Sequence, residues 1–278
     1  MAKDFLSDPD IRTIIDEISE VAGYLWDKGW AERNAGNISV NIPVPGSRFL
    51  EHGLNNTQEI LLEKMYPALS DQFFVLTGTG TRMRDVAKEP LQNLCFIKIN
   101  ESGSAYYHVC QQQKTGTGYR EQGTGRPTSE LPTHLAIHEM LLKKDSARKA
   151  VVHTHANELI SLTQIPDFKS TEKINELLWR MHPETIIFVP QGIGFIPFTL
   201  PGTITIAEET AEALKDHPAV IWEKHGVIST GSSVLEAFDT IDILTKSTRI
   251  FFNVRNAGYQ PEGLSEDQLN QIRYNYNL

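Results

Sequence analysis

Apolar positions along the chain follow two rhythms that take turns from one end to the other. After Asp8-Pro9, a capping residue with proline at the first helical position, Ile11, Ile14, Ile15, Ile18, Val21, Ala22 and Leu25 recur at helical spacing until Gly29 stops them. The turn-like cluster Asn34-Ala35-Gly36-Asn37 then leads into Ile38-Ser39-Val40-Asn41-Ile42, which alternates as a strand. Residues 43–58, rich in Pro, Gly and Asn, read as a loop. Phe73–Leu76 reads as a strand that runs into Thr77-Gly78-Thr79-Gly80, and 91–110 as antiparallel strands turning near Glu101–Ser104. Residues 111–129 are polar and rich in Gly and Thr, which predicts a long loop.

From Leu131 to Lys144 a helical face returns through Leu131, Leu135, His138, Leu141 and Leu142. The pattern then predicts a strand at 150–153, helices at Asn157–Thr163 and Glu172–Met181, a strand at Ile186–Val189 and a Gly/Pro-rich loop over 190–202. A helix at Ala207–Lys215, strands at 219–222 and Gly226–Ser229, and helices at Val234–Asn256 and Ser265–Tyr274 complete the chain. Helices and strands mix throughout, with no repeat and no separating linker. One α/β domain over residues 1–278 is expected.

Composition narrows the partners. The 278 residues are 40% hydrophobic and 22% charged, with a net charge of −9, so a general polyanion-binding surface is not indicated. Nucleic acid and anionic membrane are not expected partners, and no apolar run approaches spanning length. A phosphorylated ligand would have to be held by local donors, a metal or a helix N-terminus. Two cysteines, Cys95 and Cys110, form no disulfide framework or zinc ribbon. The first residues lack the apolar core of a signal peptide, which makes a cytoplasmic protein the expectation.

The chemistry gathers at histidines. His153-Thr154-His155 ends the apolar run Ala150-Val151-Val152, and strand residues two apart point the same way. Two imidazoles on one face are half of a metal site. His225 follows Ala219-Val220-Ile221-Trp222 in a similar setting, so the pattern suggests a three-histidine zinc site with an open position. Glu130 sits where a helix begins: it is either a carboxylate favoured by the helix dipole or a general base near the metal. Asn34-x-Gly36-Asn37, Thr77-Gly78-Thr79-Gly80 and Thr128-Ser129 are either ordinary turns or a neutral phosphate cradle. His134 and His138 share a helical face with Glu130 and read as packing or supporting groups.

Taken in order, Asn34-Ala-Gly-Asn37, Thr77-Gly-Thr-Gly80, Thr128-Ser129-Glu130-Leu-Pro, Val152-His153-Thr-His155-Ala and Lys224-His225-Gly226 resemble the class II aldolase/adducin family over about residues 10 to 256. The resemblance implies a central, mostly antiparallel sheet flanked by helices and a zinc-dependent, reversible aldol cleavage of a sugar phosphate. It implies that His153, His155 and His225 hold Zn2+, and that Asn34, Gly36, Asn37, Thr79, Thr128 and Ser129 surround the phosphate and adjacent oxygens. Glu130 would be the acid/base, and Glu184 would reach a neighbouring site in a fourfold homotetramer. Chain length, the insert before Thr128 and Met181-His182-Pro183-Glu184 look most like the branch acting on L-rhamnulose 1-phosphate. The alternatives are an L-fuculose-phosphate aldolase, an L-ribulose-5-phosphate 4-epimerase, or a non-catalytic adducin-like scaffold.

Overall fold

A computed structural model describes residue 6 and residues 8–42, 58–109, 111–115, 118–122 and 126–278. In chain order the elements are α1 (Pro9–Asp27), β1 (Asn37–Ile42), β2 (Ile60–Leu61), β3 (Phe73–Thr77), α2 (Met83–Val86), α3 (Pro90–Asn93), β4 (Leu94–Ile99), β5 (Ala105–His108), β6 (Gln111–Thr115) and β7 (Gly118–Gln122). They continue with α4 (Leu131–Lys143), β8 (Ala150–Thr154), α5 (Asn157–Leu162), α6 (Thr171–Met181), α7 (Pro183–Phe188), β9 (Ile193–Ile196), α8 (Ile204–Ala213), β10 (Ala219–Trp222), β11 (Gly226–Gly231), α9 (Val234–Asn256) and α10 (Glu266–Tyr276).

Nine strands form one sheet in the order β2-β5-β4-β3-β1-β8-β11-β10-β9. Every neighbouring pair is antiparallel except β9 with β10. Strand alternation sorts the side chains into two cores. Ile38, Val40, Val75, Ala150, Val152, Ile221 and Val227 face α1, α5, α6 and α9. Phe74, Leu76 and Ile97 meet Leu131, Leu135 and Ala136 of α4, while Val151, Val220 and Ile228 meet Ile137, Leu141 and Ile206 of α4 and α8. A fully buried aliphatic side chain contributes roughly 1.5–3 kcal/mol relative to an exposed one. With both faces covered, a one-residue slip of register would turn every such residue to the wrong layer. The expected α/β architecture with a mostly antiparallel sheet is what forms.

α1 begins as its sequence predicts, with the Asp8 side chain accepting from the Asp10 amide at 2.9 Å and Pro9 opening the helix. Three expectations fail. Ile186–Val189 is not a strand, because Pro183 starts a helix that carries Ile186 into the interior. Apolar runs this short do not distinguish helix from strand. The strand lies instead at β9, inside the stretch expected to be a loop, where it pairs parallel to β10. Residues 111–115 and 118–122, expected to be loop, pair instead as the antiparallel strands β6 and β7. Their strands pair with each other alone among the described residues, outside the nine-stranded sheet. Residues 43–57, most of the predicted 43–58 loop, lie outside the described residues.

Candidate active site

The antiparallel order collects the chemistry at one edge of the sheet. β1 pairs with β3 on one side and β8 on the other, and β8 pairs with β11. The start of β1, the ends of β3 and β8 and the start of β11 therefore meet, with Asn37 opposite His153 and Val227 opposite Thr154. His155 is fixed just beyond β8 by its amide, which donates to the Trp30 carbonyl at 2.9 Å. His225 ends the three-residue turn from β10 to β11, in which Lys224 takes the left-handed conformation at φ 61°. That turn is held by Glu223, whose carboxylate accepts from Lys169 at 2.8 Å and from the Phe198 amide at 3.0 Å. Gly226 has to be glycine: a Cβ there would lie 2.7 Å from the Thr154 carbonyl oxygen and 2.9 Å from the His153 ring.

The three imidazoles form a near-equilateral triangle, with ring centroids 5.3 Å apart for His153 and His155 and 5.1 Å for each of the other two pairs. One nitrogen from each lies within 4.8 Å of the others. His153 Nδ1 donates to the Val227 carbonyl at 3.0 Å, and His155 Nδ1 to Glu32 Oε1 at 2.7 Å, which leaves both Nε2 lone pairs for the pocket. Burial holds His153 down to about 3, and burial together with the neighbouring His153 holds His225 down to about 4. Imidazoles converging from two segments are the donor set of a catalytic divalent-metal site, so the residues fit a resident cation.

Glu130 is the cap residue of α4, and its side chain turns away from the helix into this triangle. Its carboxylate lies 3.6 Å from His153 Nε2 and 3.9 Å from His225 Nε2, and Oε2 accepts from Asn37 Nδ2 at 3.0 Å. The adjoining pocket, about 370 Å³, is lined by the three histidines and Glu130 with Asn34, Gly36, Asn37, Thr79, Thr128 and Ser129. The loop after β7 reaches it because Thr79 N donates to Arg126 O at 3.0 Å and Thr128 N to Thr77 O at 3.0 Å. Gly36 (φ 79°) permits the close passage of its turn, where a Cβ would meet the His153 carbonyl at 3.0 Å.

Comparison with known proteins decides the family. The model for "Class II Aldolase and Adducin N-terminal domain" matches residues 16–252. The chain belongs to this family. Among its relatives, a rhamnulose-1-phosphate aldolase from Bacteroides thetaiotaomicron is 39% identical over 274 residues, covering 97% of this chain and 96% of the relative. Another from Mannheimia succiniciproducens is 32% identical over 88% of this chain and 87% of its own length. A crystal structure of a sugar-phosphate aldolase from Thermotoga maritima superposes with a TM-score of 0.74 at 32% identity, covering 91% of this chain and 99% of that one.

Within this class II aldolase fold every expected site residue but one lines the pocket. Glu184 is the exception: it opens α7, half-exposed, and pairs with His182 at 2.9 Å. Two lining residues were not foreseen, Glu32 and Arg33. The role of Glu32 as partner of His155 joins positions 123 apart and leaves no local signal. Arg33 did leave one, a cation directly before Asn34. Asn37 was expected at a phosphate, yet both ends of its amide are occupied, one by Glu130 and the other by His134 Nε2.

The buried neutral histidines also set an acid limit on stability. His138 packs fully buried against Phe74, and burial lowers it to about 3 from the usual 6.5. A depressed histidine leaves stability at its full value above the unfolded pKa and withdraws it as pH falls toward the folded one. Chelated protein is therefore expected to keep constant unfolding free energy above pH 6.5. Below that pH, urea denaturation should show a loss of about 1.4 kcal/mol per pH unit for each such histidine. Unchanged urea midpoints from pH 7 to 4.5 would contradict the buried neutral assignment.

Proposed function

We propose that this chain reversibly cleaves L-rhamnulose 1-phosphate to dihydroxyacetone phosphate and L-lactaldehyde, using a divalent cation, zinc, at His153, His155 and His225. The observation that carries the reading is the meeting of three imidazoles with one carboxylate, Glu130, beside a pocket rich in hydroxyl and amide donors. Retro-aldol cleavage breaks a carbon–carbon bond and leaves its electron pair on the ketone fragment as an enediolate. A cation bound there would supply Lewis-acid stabilisation of that developing negative charge. In cleavage Glu130 takes the proton from the hydroxyl on the carbon that becomes the aldehyde as the carbon–carbon bond breaks, then returns a proton to the carbon beside the ketone; condensation runs the two transfers in reverse. Asn34, Gly36, Thr79, Thr128 and Ser129, together with Arg33, surround the phosphate and fix the reacting end of the sugar against Glu130. The chain's charge of −9 leaves phosphate recognition to such local donors.

Glu184 would complete the site from a neighbouring subunit of a fourfold homotetramer; its exposure and its absence from its own pocket support that placement. We place the enzyme in the cytoplasm; among the described residues no helix is long and apolar enough to cross a membrane.

Purified protein given L-rhamnulose 1-phosphate should release dihydroxyacetone phosphate, read by coupled reduction. Activity should vanish on chelation and return with zinc. Faster turnover of L-fuculose 1-phosphate would overturn the substrate. Interconversion of pentulose phosphates without triose release would overturn the reaction.

A further inference from the structure

β1 and α4 run alongside each other with nearly matched repeats. Two residues of strand advance about 6.6–6.8 Å. Four residues of helix advance about 6 Å. Asn37 and Ser39 on one face of β1 therefore interdigitate with Glu130, His134 and His138 on one face of α4. Ser39 Oγ lies 2.6 Å from His134 Nδ1 and 2.8 Å from His138 Nε2. His134 Nε2 meets Asn37 Oδ1, and Asn37 Nδ2 donates to Glu130 Oε2 at 3.0 Å. Ser39 and His134 are completely buried and His138 is 1% exposed.

Hydrogen-bonding rules fix the direction of the whole chain of contacts. A carboxylate only accepts, so Asn37 presents its NH2 to Glu130 and its oxygen to His134. That oxygen needs a donor, which makes His134 the Nε2–H tautomer with a lone pair on Nδ1. Ser39 then gives its hydroxyl hydrogen to Nδ1 and receives one from His138 Nε2. Every hydrogen along the array points toward Glu130.

We propose that Ser39, His134 and His138 are positioning residues for the aldol reaction: they lock the Asn37 amide in one orientation, and through it hold Glu130 by Oε2 so that Oε1 is left for the proton transfer. The proposal rests on Glu130 being the acid/base of the sugar-phosphate cleavage. It gives Asn37 a role in aiming the carboxylate. Without the His134 donor the buried Asn37 oxygen loses its partner and only the Glu130 carboxylate still opposes a flip, which would turn that oxygen toward the carboxylate. Both groups would then have to move apart.

The test compares His134→Leu with His134→Gln in the full-length, metal-loaded protein, with L-rhamnulose 1-phosphate as substrate. Leucine removes the donor; glutamine restores an N–H at the Nε2 position. His134→Leu should lower kcat about 10- to 100-fold, the usual scale for losing an outer orienting group, with KM changed by less than about threefold. Metal content should stay at the wild-type level, and His134→Gln should recover most of the lost kcat. A folded His134→Leu with normal kcat overturns the proposal, as does a folded His134→Gln no better than leucine. Selective 15N labelling of histidine reads the array without turnover: Nε2–H at His134 is expected, and Nδ1–H overturns it. This measurement also decides the matter if His134→Leu does not fold. Failure of wild-type protein to cleave the sugar phosphate would instead count against the reaction, leaving the tautomer result to stand on its own.

Discussion

Glu130→Gln should retain the fold, the metal and the substrate while kcat falls by about two to four powers of ten, the scale of a lost general acid/base. Glutamine has the same length, and its carbonyl oxygen can still accept from Asn37 Nδ2, so the 3.0 Å contact at Oε2 has a replacement. What glutamine cannot do is take up and return a proton at the other end. The loss should therefore fall on kcat, with KM little changed, because the phosphate-lining residues are untouched. Steady-state kinetics with metal analysis of the same preparation checks it. A variant that turns over within threefold of wild type would remove Glu130 from the chemistry, whatever its distance from His153.

His155→Ala should produce a different signature, with metal content and activity falling together. Catalytic zinc is held by three protein ligands, and two imidazoles make a far weaker site. His155 is also oriented from outside by Glu32 at 2.7 Å. Losing such an outer partner costs about 10- to 100-fold in metal affinity or activity, so removing the ligand itself should exceed that. Glu32→Gln therefore serves as an internal scale, with an effect smaller than His155→Ala and measured by competition against a chelating dye. Equal metal occupancy in wild type and His155→Ala would show that the ion is held elsewhere.

The parts of this molecule that could be read in advance are those where local sequence and buried surface agree. α1 announces itself through Asp8, Pro9 and seven buried positions at helical spacing. β8 and β10 announce themselves as the short apolar runs Ala150-Val151-Val152 and Ala219-Val220-Ile221-Trp222, with histidines following closely after each. The triad was legible because His153 and His155 share a strand parity and His225 follows a similar run. α7 and β9 were not, since four apolar residues in a row carry no period and β9 is defined by pairing with a strand more than twenty residues away. The orientation of Asn37 was equally hidden. A turn asparagine beside a glycine suits a phosphate, and only the proximity of α4 reveals that its amide is spent on Glu130 and His134.

One feature of the sheet governs when this centre can come into being. The three histidines proposed to hold the ion sit on and just beyond β8 and at the hairpin that closes at Gly226, separated by some seventy residues that include β9, α8 and β10. During synthesis the nascent chain thus passes through a long interval in which two imidazoles exist with no third to join them. On the proposed metal assignment, tight capture of an ion awaits the late hairpin, so loading marks the end of assembly rather than guiding its beginning.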